Sequence, residues 1–359
     1  MTLLDLPPRR ILGRFIPISL PPAGTFAGNT VLVIGGTAGI GLAAAVHFAK
    51  LGANVIITGR TSSRADSARA HIRKAVGTSH TAEIRSLLLD LNRYDSCTGF
   101  VDELKKSLKG PAALDIVLLN AGLINPHREV SPEGWEQTVQ VNAISTALLG
   151  LLLLAWMREG RGARSSPAHM VFVTSRDHLY PDITDWDKWA KQEGGILGHL
   201  SSSDNWPAWW ETTEPNYAES KLLVMYAVAE ISELARGSNG EPDVIVNSIC
   251  PGLVNTNIGH SISQTSLAMK VGVPVYLKIL GKSPDSGARF CVAAALKPSE
   301  SHGEFSNGWL TPDQYRKKAT RNMTSTAGKA LRALVWEEIV TELTTKVAGL
   351  EVKRPHASR

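Results

Sequence analysis

Tyr217 and Lys221 form a pair whose types and spacing could support proton transfer. Four residues apart on a helix, their side chains share one face. A tyrosine phenol has a pKa of about 10, and a nearby ammonium group stabilises the phenolate and lowers that pKa towards neutrality. Ser175, further upstream, could donate a hydrogen bond to a substrate oxygen. The three residues therefore predict general acid and base chemistry at a carbonyl or alcohol oxygen.

Asn142 and His178 are two further polar residues that precede this pair. Asn142 falls within a long predicted helix and could hold a water molecule that relays protons to Lys221. His178 follows Ser175 closely and could act as an acid or base, although a polar loop histidine is the simpler interpretation. Taken alone, the Tyr217 and Lys221 pair would fit an ordinary helix surface better, and only the whole constellation favours catalysis.

A glycine-rich loop, Gly35-Gly36-Thr37-Ala38-Gly39-Ile40-Gly41, follows a short apolar run. Glycine permits a tight turn from strand to helix and lets backbone N–H groups approach a pyrophosphate, which the helix N-terminus also attracts. The spacing differs from the GxGxxG fingerprint, and such a loop alone is often only a turn. Here a helix, a second strand and Gly52 follow in register, so we predict a dinucleotide site.

The end of the second predicted strand indicates which dinucleotide would bind. An acidic residue there would bind the adenine ribose of NAD, but Gly59 is followed by Arg60, with Arg64 nearby. A guanidinium suits a 2′-phosphate through its charge and its forked donors. We therefore predict NADP(H), with a solvated loop arginine as the alternative for Arg60.

Two further strand ends carry residues that could contact the cofactor. Asp90 could accept a hydrogen bond from the adenine amino group, and the turn Asn120-Ala121-Gly122 could lie against the ribose. Each could also be an ordinary loop residue or turn. Both follow predicted strands of the same sheet, which favours the binding interpretation.

The elements that must position these residues are short apolar strands that alternate with helices. Strands without polar alternation are buried on both faces, which predicts a parallel, doubly wound α/β sheet that binds ligands beyond its carboxyl ends. The predicted strands are Thr30–Ile34, Asn54–Thr58, Ile84–Leu89, Leu114–Leu119, Met170–Thr174 and Val244–Ile249. Between the last two strands we predict a helix from about Asn216 to Ala235, and Ser131 is the predicted start of the helix that holds Asn142 and runs to about Glu159.

The chain divides into an N-terminal arm (1–28), one catalytic domain (29–300) and a C-terminal extension (301–359) with an amphipathic helix near Gly328–Val347. An insertion, 176–215, interrupts the pattern and holds five of the nine tryptophans: Trp186, Trp189, Trp206, Trp209 and Trp210. It could wall a large apolar or aromatic pocket, with 257–282 as the opposing lid, or form a small satellite core.

Composition argues against several classes of function. The net charge is +5 and no tight cluster of Lys and Arg suggests a nucleic-acid surface. The three cysteines lie far apart without zinc spacing, which predicts no metal site and reduced thiols in the cytoplasm. The N-terminus is a poor signal peptide, and the longest apolar run, Ala147–Met157, is too short to span a bilayer.

Jointly these motifs resemble the short-chain dehydrogenase/reductase family over roughly residues 29–300. The resemblance implies a seven-stranded Rossmann sheet and a catalytic tetrad of Asn142, Ser175, Tyr217 and Lys221, in which Lys221 also holds the nicotinamide ribose. It further implies cofactor contacts from the loops after the strands: Gly35, Thr37, Gly39, Ile40, Gly41, Asp90, Leu91, Asn120, Ala121, Gly122, Pro251, Gly252, Val254 and Thr256.

Three departures from the family pattern stand out. Ile34 occupies a position that is usually Thr, which removes one hydroxyl beneath the glycine loop with little expected loss of function. The stretch between Ser175 and Tyr217 is far longer than usual, and the C-terminal tail is also long. The layout is similar to that of retinol-dehydrogenase-like and fungal secondary-metabolism members.

The resulting expectation is an NADP(H)-dependent oxidoreductase that interconverts an alcohol and a ketone or aldehyde on a fairly large apolar or aromatic small molecule. Two alternatives remain: an NADP(H)-binding sensor without turnover, and a cofactor-assisted epimerase or cyclase. Relatives often form homodimers through the helices that hold Asn142 and Tyr217. The C-terminal helix could instead cover that surface and leave a monomer.

Overall fold

Seven strands of the described chain form one parallel sheet, with the order β3-β2-β1-β4-β5-β6-β7. The computed structural model describes residues 18–77, 82–208, 212, 214–256, 258, 260–308 and 310–352. The predicted doubly wound α/β fold is thereby confirmed. The strands are β1 (Thr30–Ile34), β2 (Asn54–Gly59), β3 (Ile84–Leu88), β4 (Ile116–Leu119), β5 (Ala168–Val173), β6 (Val244–Cys250) and β7 (Phe305–Asn307).

Helices cover both faces of this sheet, which is why its central strands β1, β4 and β5 are largely apolar. Val31 and Val33 on one side of β1 pack with Phe48, whereas Leu32 and Ile34 on the other side join a second buried cluster. The helices are α1 (Gly39–Lys50), α2 (Ser62–Val76), α3 (Tyr94–Ser107), α4 (Gln137–Glu159), α5 (Trp186–Trp189), α6 (Gly195–Ser201), α7 (Tyr217–Leu234), α8 (His260–Ser263), α9 (Leu267–Leu280), α10 (Pro284–Ala294), α11 (Pro312–Ala319) and α12 (Thr326–Lys346).

Helix α4 begins five residues later than the sequence predicts, with Glu136 rather than Ser131 as its N-cap, so the assignment of Ser131 is wrong. Residues Val130 and Glu136 form an antiparallel bridge instead. The buried Glu136 carboxylate then accepts hydrogen bonds from the amides of Thr138 and Val139, at 2.9 and 3.2 Å. This carboxylate satisfies the first amides of the helix, which is what a cap does.

Helix α4 is also the one described helix that is long and apolar enough to cross a membrane. In the fold, 89% of the most apolar stretch of this helix is buried. The Ala147–Met157 run lies within this helix, so its apolar character is explained by packing against the sheet and α7.

The sheet extends past residue 300, where the sequence analysis ended the catalytic domain. Strand β7 pairs with β6, with Ser248 opposite Phe305. Its three residues are only half-buried, so they leave no apolar run in the sequence. Of the N-terminal arm, residues 1–17 lie outside the described chain, and Phe26 packs edge-on against Phe48 with ring centres 5.1 Å apart.

The insertion and the C-terminal extension pack against each other. Trp186 stacks with Trp189, and Trp189 stacks on His199 with ring centres 3.8 Å apart. These stacked rings favour the interpretation of the insertion as a small satellite core. Among the described residues, no tryptophan of the insertion lines the cavity at the sheet edge. Trp209 and Trp210 lie outside the described residues. From α12, the Glu338 carboxylate accepts hydrogen bonds from the first amides of α6 (Ile196 and Leu197, both 2.9 Å).

We predict that Ile339→Ala on α12 lowers the free energy of unfolding by about 2–4 kcal/mol, because it leaves a cavity beneath a fully buried side chain. Leu334→Ala, on the same helix but 42% exposed, should change it by less than about 0.5 kcal/mol. Urea unfolding of both variants measures the difference. Equal effects would mean that α12 is not docked as described.

Candidate active site

A cavity of about 1440 Å³ lies at the carboxyl ends of the strands. Every segment that follows β1 to β6 contributes to its lining. Of the predicted site residues, only Gly41 and Asn142 do not line it. The others do: Gly35, Thr37, Gly39, Ile40, Arg60, Asp90, Leu91, Asn120, Ala121, Gly122, Ser175, Tyr217, Lys221, Pro251, Gly252, Val254 and Thr256.

The glycine loop forms a cradle that no side chain fills. Gly35 and Gly39 have φ of +78° and +54°, which favour glycine. A Cβ on Gly41 would lie 2.2 Å from the Gly35 carbonyl oxygen, so its absence permits the turn. The backbone amides at the start of α1 line this cradle, an arrangement that fits a pyrophosphate.

Neighbouring strands hold the loop and replace the support that Ile34 cannot give. The Gly35 amide donates to Thr58 Oγ1 at 3.0 Å. The Asn120 side-chain amide donates to the Gly35 carbonyl at 3.1 Å. The loop is therefore tied to both strands that flank β1.

The end of the cavity beyond β2 is cationic. Arg60 and Arg64 line it, together with Ser63 at the start of α2. Among the residues that the structure describes, no carboxylate forms an ion pair with either arginine. Asp90, at the end of β3, accepts from the amide and side chain of Asn92 through Oδ1, at 3.0 and 3.1 Å. The arginine end is thus suited to an anionic group.

Ser175, Tyr217 and Lys221 meet at another part of the same cavity. Ser175 follows β5, and its hydroxyl donates to Asp177 Oδ2 at 2.9 Å. Lys221 Nζ lies 5.5 Å from the centre of the Tyr217 ring. A Cβ on Gly122 would stand 3.4 Å from that Nζ, so the glycine keeps the space beside the ammonium open.

Asn142 lies behind the cavity and is 2% exposed. Its side-chain amide donates to the Leu123 carbonyl at 2.9 Å and to Ser220 Oγ at 3.1 Å, and its Oδ1 accepts from the Leu123 amide at 2.9 Å. It sits in a π-helical turn of α4, Gln140–Ile144. Both side-chain N–H groups are used by the protein, so Asn142 acts by joining the loop after β4 to α7.

Burial dominates the ionisation of Tyr217 and Lys221 in the protein alone. It lowers the pKa of the Lys221 ammonium to about 8. It also raises the pKa of the Tyr217 phenol above its usual value, and the charges of Asp177, Cys250 and Glu214 act in the same direction. In the protein alone, burial therefore favours the neutral form of the Tyr217 phenol.

Two carboxylates that line the cavity are absent from the predicted site, whereas its apolar wall comes from the predicted lid, residues 257–282. Asp177 and Glu214 line the cavity beside Tyr217, and the short spacing from Ser175 to Asp177 was the available signal. The apolar wall comes from the α8 and α9 region: Ile258, Ile262, Met269, Val273, Tyr276 and Leu277. Ser261 ties that region to the loop after β4 by donating to the Ile124 carbonyl at 2.5 Å.

Within the described ranges, no group of three or more His, Cys, Asp and Glu side chains is arranged to hold a metal ion. The polar groups of the cavity are amides, hydroxyls, a lysine, arginines and scattered carboxylates. This donor set suits an organic, phosphate-bearing ligand.

Comparison with known proteins identifies relatives among the short-chain dehydrogenases/reductases. The sequence profile of the family described as short chain dehydrogenase matches residues 29–183. The short-chain dehydrogenase/reductase ffsI of Aspergillus flavipes is 32% identical over 331 residues, covering 92% of this chain and 90% of the relative. The short-chain dehydrogenase/reductase phmF of Phaeosphaeria nodorum is 32% identical over 336 residues, with the same two coverages of 92% and 90%.

Solved structures agree on the fold. A short chain dehydrogenase from Shigella flexneri, complexed with NADP, matches 80% of this chain and 100% of its own at a TM-score of 0.56 and 20% identity. Levodione reductase matches 82% of this chain and 99% of its own at a TM-score of 0.57 and 17% identity. At these identities the likeness is one of fold alone.

We predict that Lys221→Met stabilises the nucleotide-free protein at pH 7 by about 3 kcal/mol, because the wild type buries an ammonium whose pKa falls to about 8. In the unfolded chain that pKa is about 10.4, so between these values the unfolded state binds more protons and wild-type stability rises with pH. The advantage of the variant should therefore be full below pH 8 and shrink towards pH 10.

Urea unfolding at several pH values measures this difference. Lys188→Met removes a lysine whose side chain is 70% exposed and should give a difference that hardly changes with pH. A flat difference for Lys221→Met as well would contradict the buried-ammonium interpretation.

Proposed function

Because the chain belongs to the short-chain dehydrogenase/reductase family, we propose that it is an NADP(H)-dependent oxidoreductase that interconverts an alcohol and a ketone or aldehyde. One observation carries this proposal. A single cavity joins a cationic end at Arg60 and Arg64, a glycine cradle after β1, and the group formed by Ser175, Tyr217 and Lys221. A dinucleotide that spans the first two would present its nicotinamide to the third.

The residues of the cavity have distinct roles in this reaction. A bound nicotinamide cofactor would supply the hydride. The neutral Tyr217 hydroxyl donates a proton to the substrate oxygen, and Ser175 holds that oxygen by a hydrogen bond. Lys221 holds the ribose and places a positive charge near the oxygen as it becomes negative. Asn142 keeps Lys221 in place through Ser220, its neighbour on α7.

The preference for NADP(H) over NAD(H) rests on the end of β2. Arg60 follows the strand directly, and Arg64 lies in the first turn of α2. That turn contains no acidic residue, so its amides and the two guanidinium groups all favour a phosphate.

The apolar wall supports a fairly large apolar or aromatic substrate. Residues 257–282 would act as its lid, since Met269, Val273 and Leu277 of α9 face the same cavity as Tyr217; residues 257 and 259 lie outside the described chain. The similarity to fungal relatives supports a role in secondary metabolism. The three cysteines are buried, unlinked thiols, in keeping with a cytoplasmic enzyme.

We infer a monomer rather than the homodimer that relatives often form through the helices of Asn142 and Tyr217. Helix α12 packs against α7 with buried Leu331, Val335 and Ile339. Its Glu342 also accepts hydrogen bonds from Tyr94 of α3, at 3.0 Å, and from Trp135, at 2.9 Å. This helix thus covers part of the surface that a partner would need.

We predict that Tyr217→Phe lowers kcat at least about 100-fold while NADPH binds as before, because only the proton donor is lost. The measurement is NADPH oxidation with a panel of acetophenone, decalone and benzil, beside a fluorescence titration of NADPH. Retained turnover in the variant would exclude Tyr217 as the donor. Wild-type protein that binds NADPH but reduces nothing would favour the sensor, and product without net cofactor consumption would favour the epimerase or cyclase.

We predict that Arg60→Ala raises the Kd of NADPH roughly 10- to 100-fold, the cost of about 1.5–3 kcal/mol for a lost charge-assisted hydrogen bond, and leaves the Kd of NADH unchanged. Fluorescence titration with both nucleotides measures this. The matched control is Arg69→Ala, on helix α2 that follows Arg60, whose guanidinium pairs with Asp66 at 2.9 Å. An equal rise in the Kd of both nucleotides would contradict a contact between Arg60 and the 2′-phosphate.

A further inference from the structure

We propose that His178 is a positioning residue that links the catalytic Ser175 to the C-terminal extension. The proposal rests on the proposed function, since it concerns the serine of that site. It assigns the extension, residues 305–324 in particular, a part in catalysis rather than in stability alone. Three sets of contacts carry it: a hydrogen-bonded chain through the imidazole, a ring cluster around it, and a second tie through Asn322.

The imidazole of His178 is fully buried and bonded at both nitrogens. Nδ1 lies 2.6 Å from the Ser175 carbonyl oxygen, and Nε2 lies 3.2 Å from the Tyr315 hydroxyl. A carbonyl oxygen can only accept, so Nδ1 carries the proton. Burial lowers the pKa of His178 to about 4, so the neutral ring accepts at Nε2 from Tyr315. The chain therefore runs in one direction, from the Tyr315 hydroxyl through the ring to the Ser175 carbonyl.

Aromatic rings hold this histidine in one orientation. The Phe305 ring of β7 stands edge-on to the imidazole with centres 4.9 Å apart, and the Tyr315 ring of α11 does so at 5.8 Å. Phe305 and Tyr315 also contact each other at 4.6 Å. A ring enclosed in this way cannot turn away from Ser175 without displacing the extension.

A second tie joins the same loop to the helix that carries Tyr217. Asn322, in the π-helical turn before α12, donates to the carbonyl oxygens of His178 and Pro181 at 3.2 and 3.1 Å. Its own carbonyl accepts from the Tyr226 hydroxyl of α7 at 2.7 Å. The extension thus contacts the two elements that bring Ser175 and Tyr217 together.

These contacts, together called the clamp, hold the backbone of Ser175 through its carbonyl oxygen. They leave the Ser175 hydroxyl able to bond a substrate. The hydroxyl donates to Asp177 in the protein alone, and a substrate oxygen must compete for that proton. Small errors in the placement of such a group are costly, because reacting atoms must approach within hydrogen-bond distance. The imidazole that donates to the Ser175 carbonyl is itself held by Tyr315 and Phe305, so the extension contributes to this restraint.

The test is a double-mutant cycle with Tyr315→Phe and His178→Leu. Tyr315→Phe keeps the ring and removes the donor, and His178→Leu removes the link. Each should lower kcat about tenfold, the equivalent of one hydrogen bond, with the Kd of NADPH unchanged. The double variant should be no slower than His178→Leu alone, because both act through one chain.

Two further variants separate positioning from a general loss of stability. His178→Asn retains a donor near the Nδ1 position and should recover part of the lost kcat. Tyr180→Phe changes an exposed tyrosine of the same loop, 57% exposed, and should match the wild type. Additive losses, or unchanged kcat in both single variants, would overturn the proposal.

Hydrogen exchange of the amides of residues 176–180 gives a readout that needs no substrate. The proposal expects faster exchange there in Tyr315→Phe and unchanged exchange in the β1 to β4 half of the sheet. If the wild type reduces none of the panel ketones, the proposed function fails, and exchange alone decides the clamp. If the wild type turns over and exchange at 176–180 in Tyr315→Phe stays at the wild-type rate, the positioning role of His178 is excluded and the proposed function stands.

Discussion

A parallel sheet buried on both faces is the constraint on which the rest of this structure depends. Helices cover both faces, so polar groups can gather only at the ends of the strands. The strand order reverses at β1, which has β2 on one side and β4 on the other. The crevice at such a reversal receives ligands, and the glycine loop lies there. A Cβ on Gly35 would lie 2.9 Å from Ala121, and one on Gly36 would lie 2.7 Å from Ile57. These two positions of the loop therefore have no room for a side chain.

Asn142 fixes the loop after β4 relative to helix α7. The sheet brings the loop after β4 close to α7, but only a side chain between them can set their separation. Asn142 does so by bonding the Leu123 backbone and Ser220, and the π-helical turn of α4 aims it inward. Gly122 completes the arrangement, because a Cβ there would lie 3.1 Å from Asn142 Oδ1. The asparagine thus serves the site from outside the cavity.

The fold and the strand-end residues of the cavity could be predicted because periodicity and strand-end position are local signals. The start of α4 could not, since the cap at Glu136 depends on a bridge to Val130 that no local pattern reveals. Strand β7 is three half-buried residues, and only its pairing with β6 defines it. The raised pKa of the Tyr217 phenol is another property that spacing does not reveal, because it depends on how deeply the side chain is buried. Asp177 and Glu214 were missed because only the folded chain brings both carboxylates into the cavity beside Tyr217.

The long insertion and the long tail, two separate departures in sequence, form one structural feature. An insertion with two short helices could bury little apolar surface by itself. Helix α12 provides the missing surface, and its Glu338 caps α6 while Arg332 pairs with Glu230 of α7 at 2.9 Å. The same extension reaches Ser175 through Tyr315 and His178. Because the insertion begins directly after Ser175, the contacts that the extension makes with His178 help to fix the backbone of that serine. The extension therefore covers the insertion and restrains its first residues at the same time.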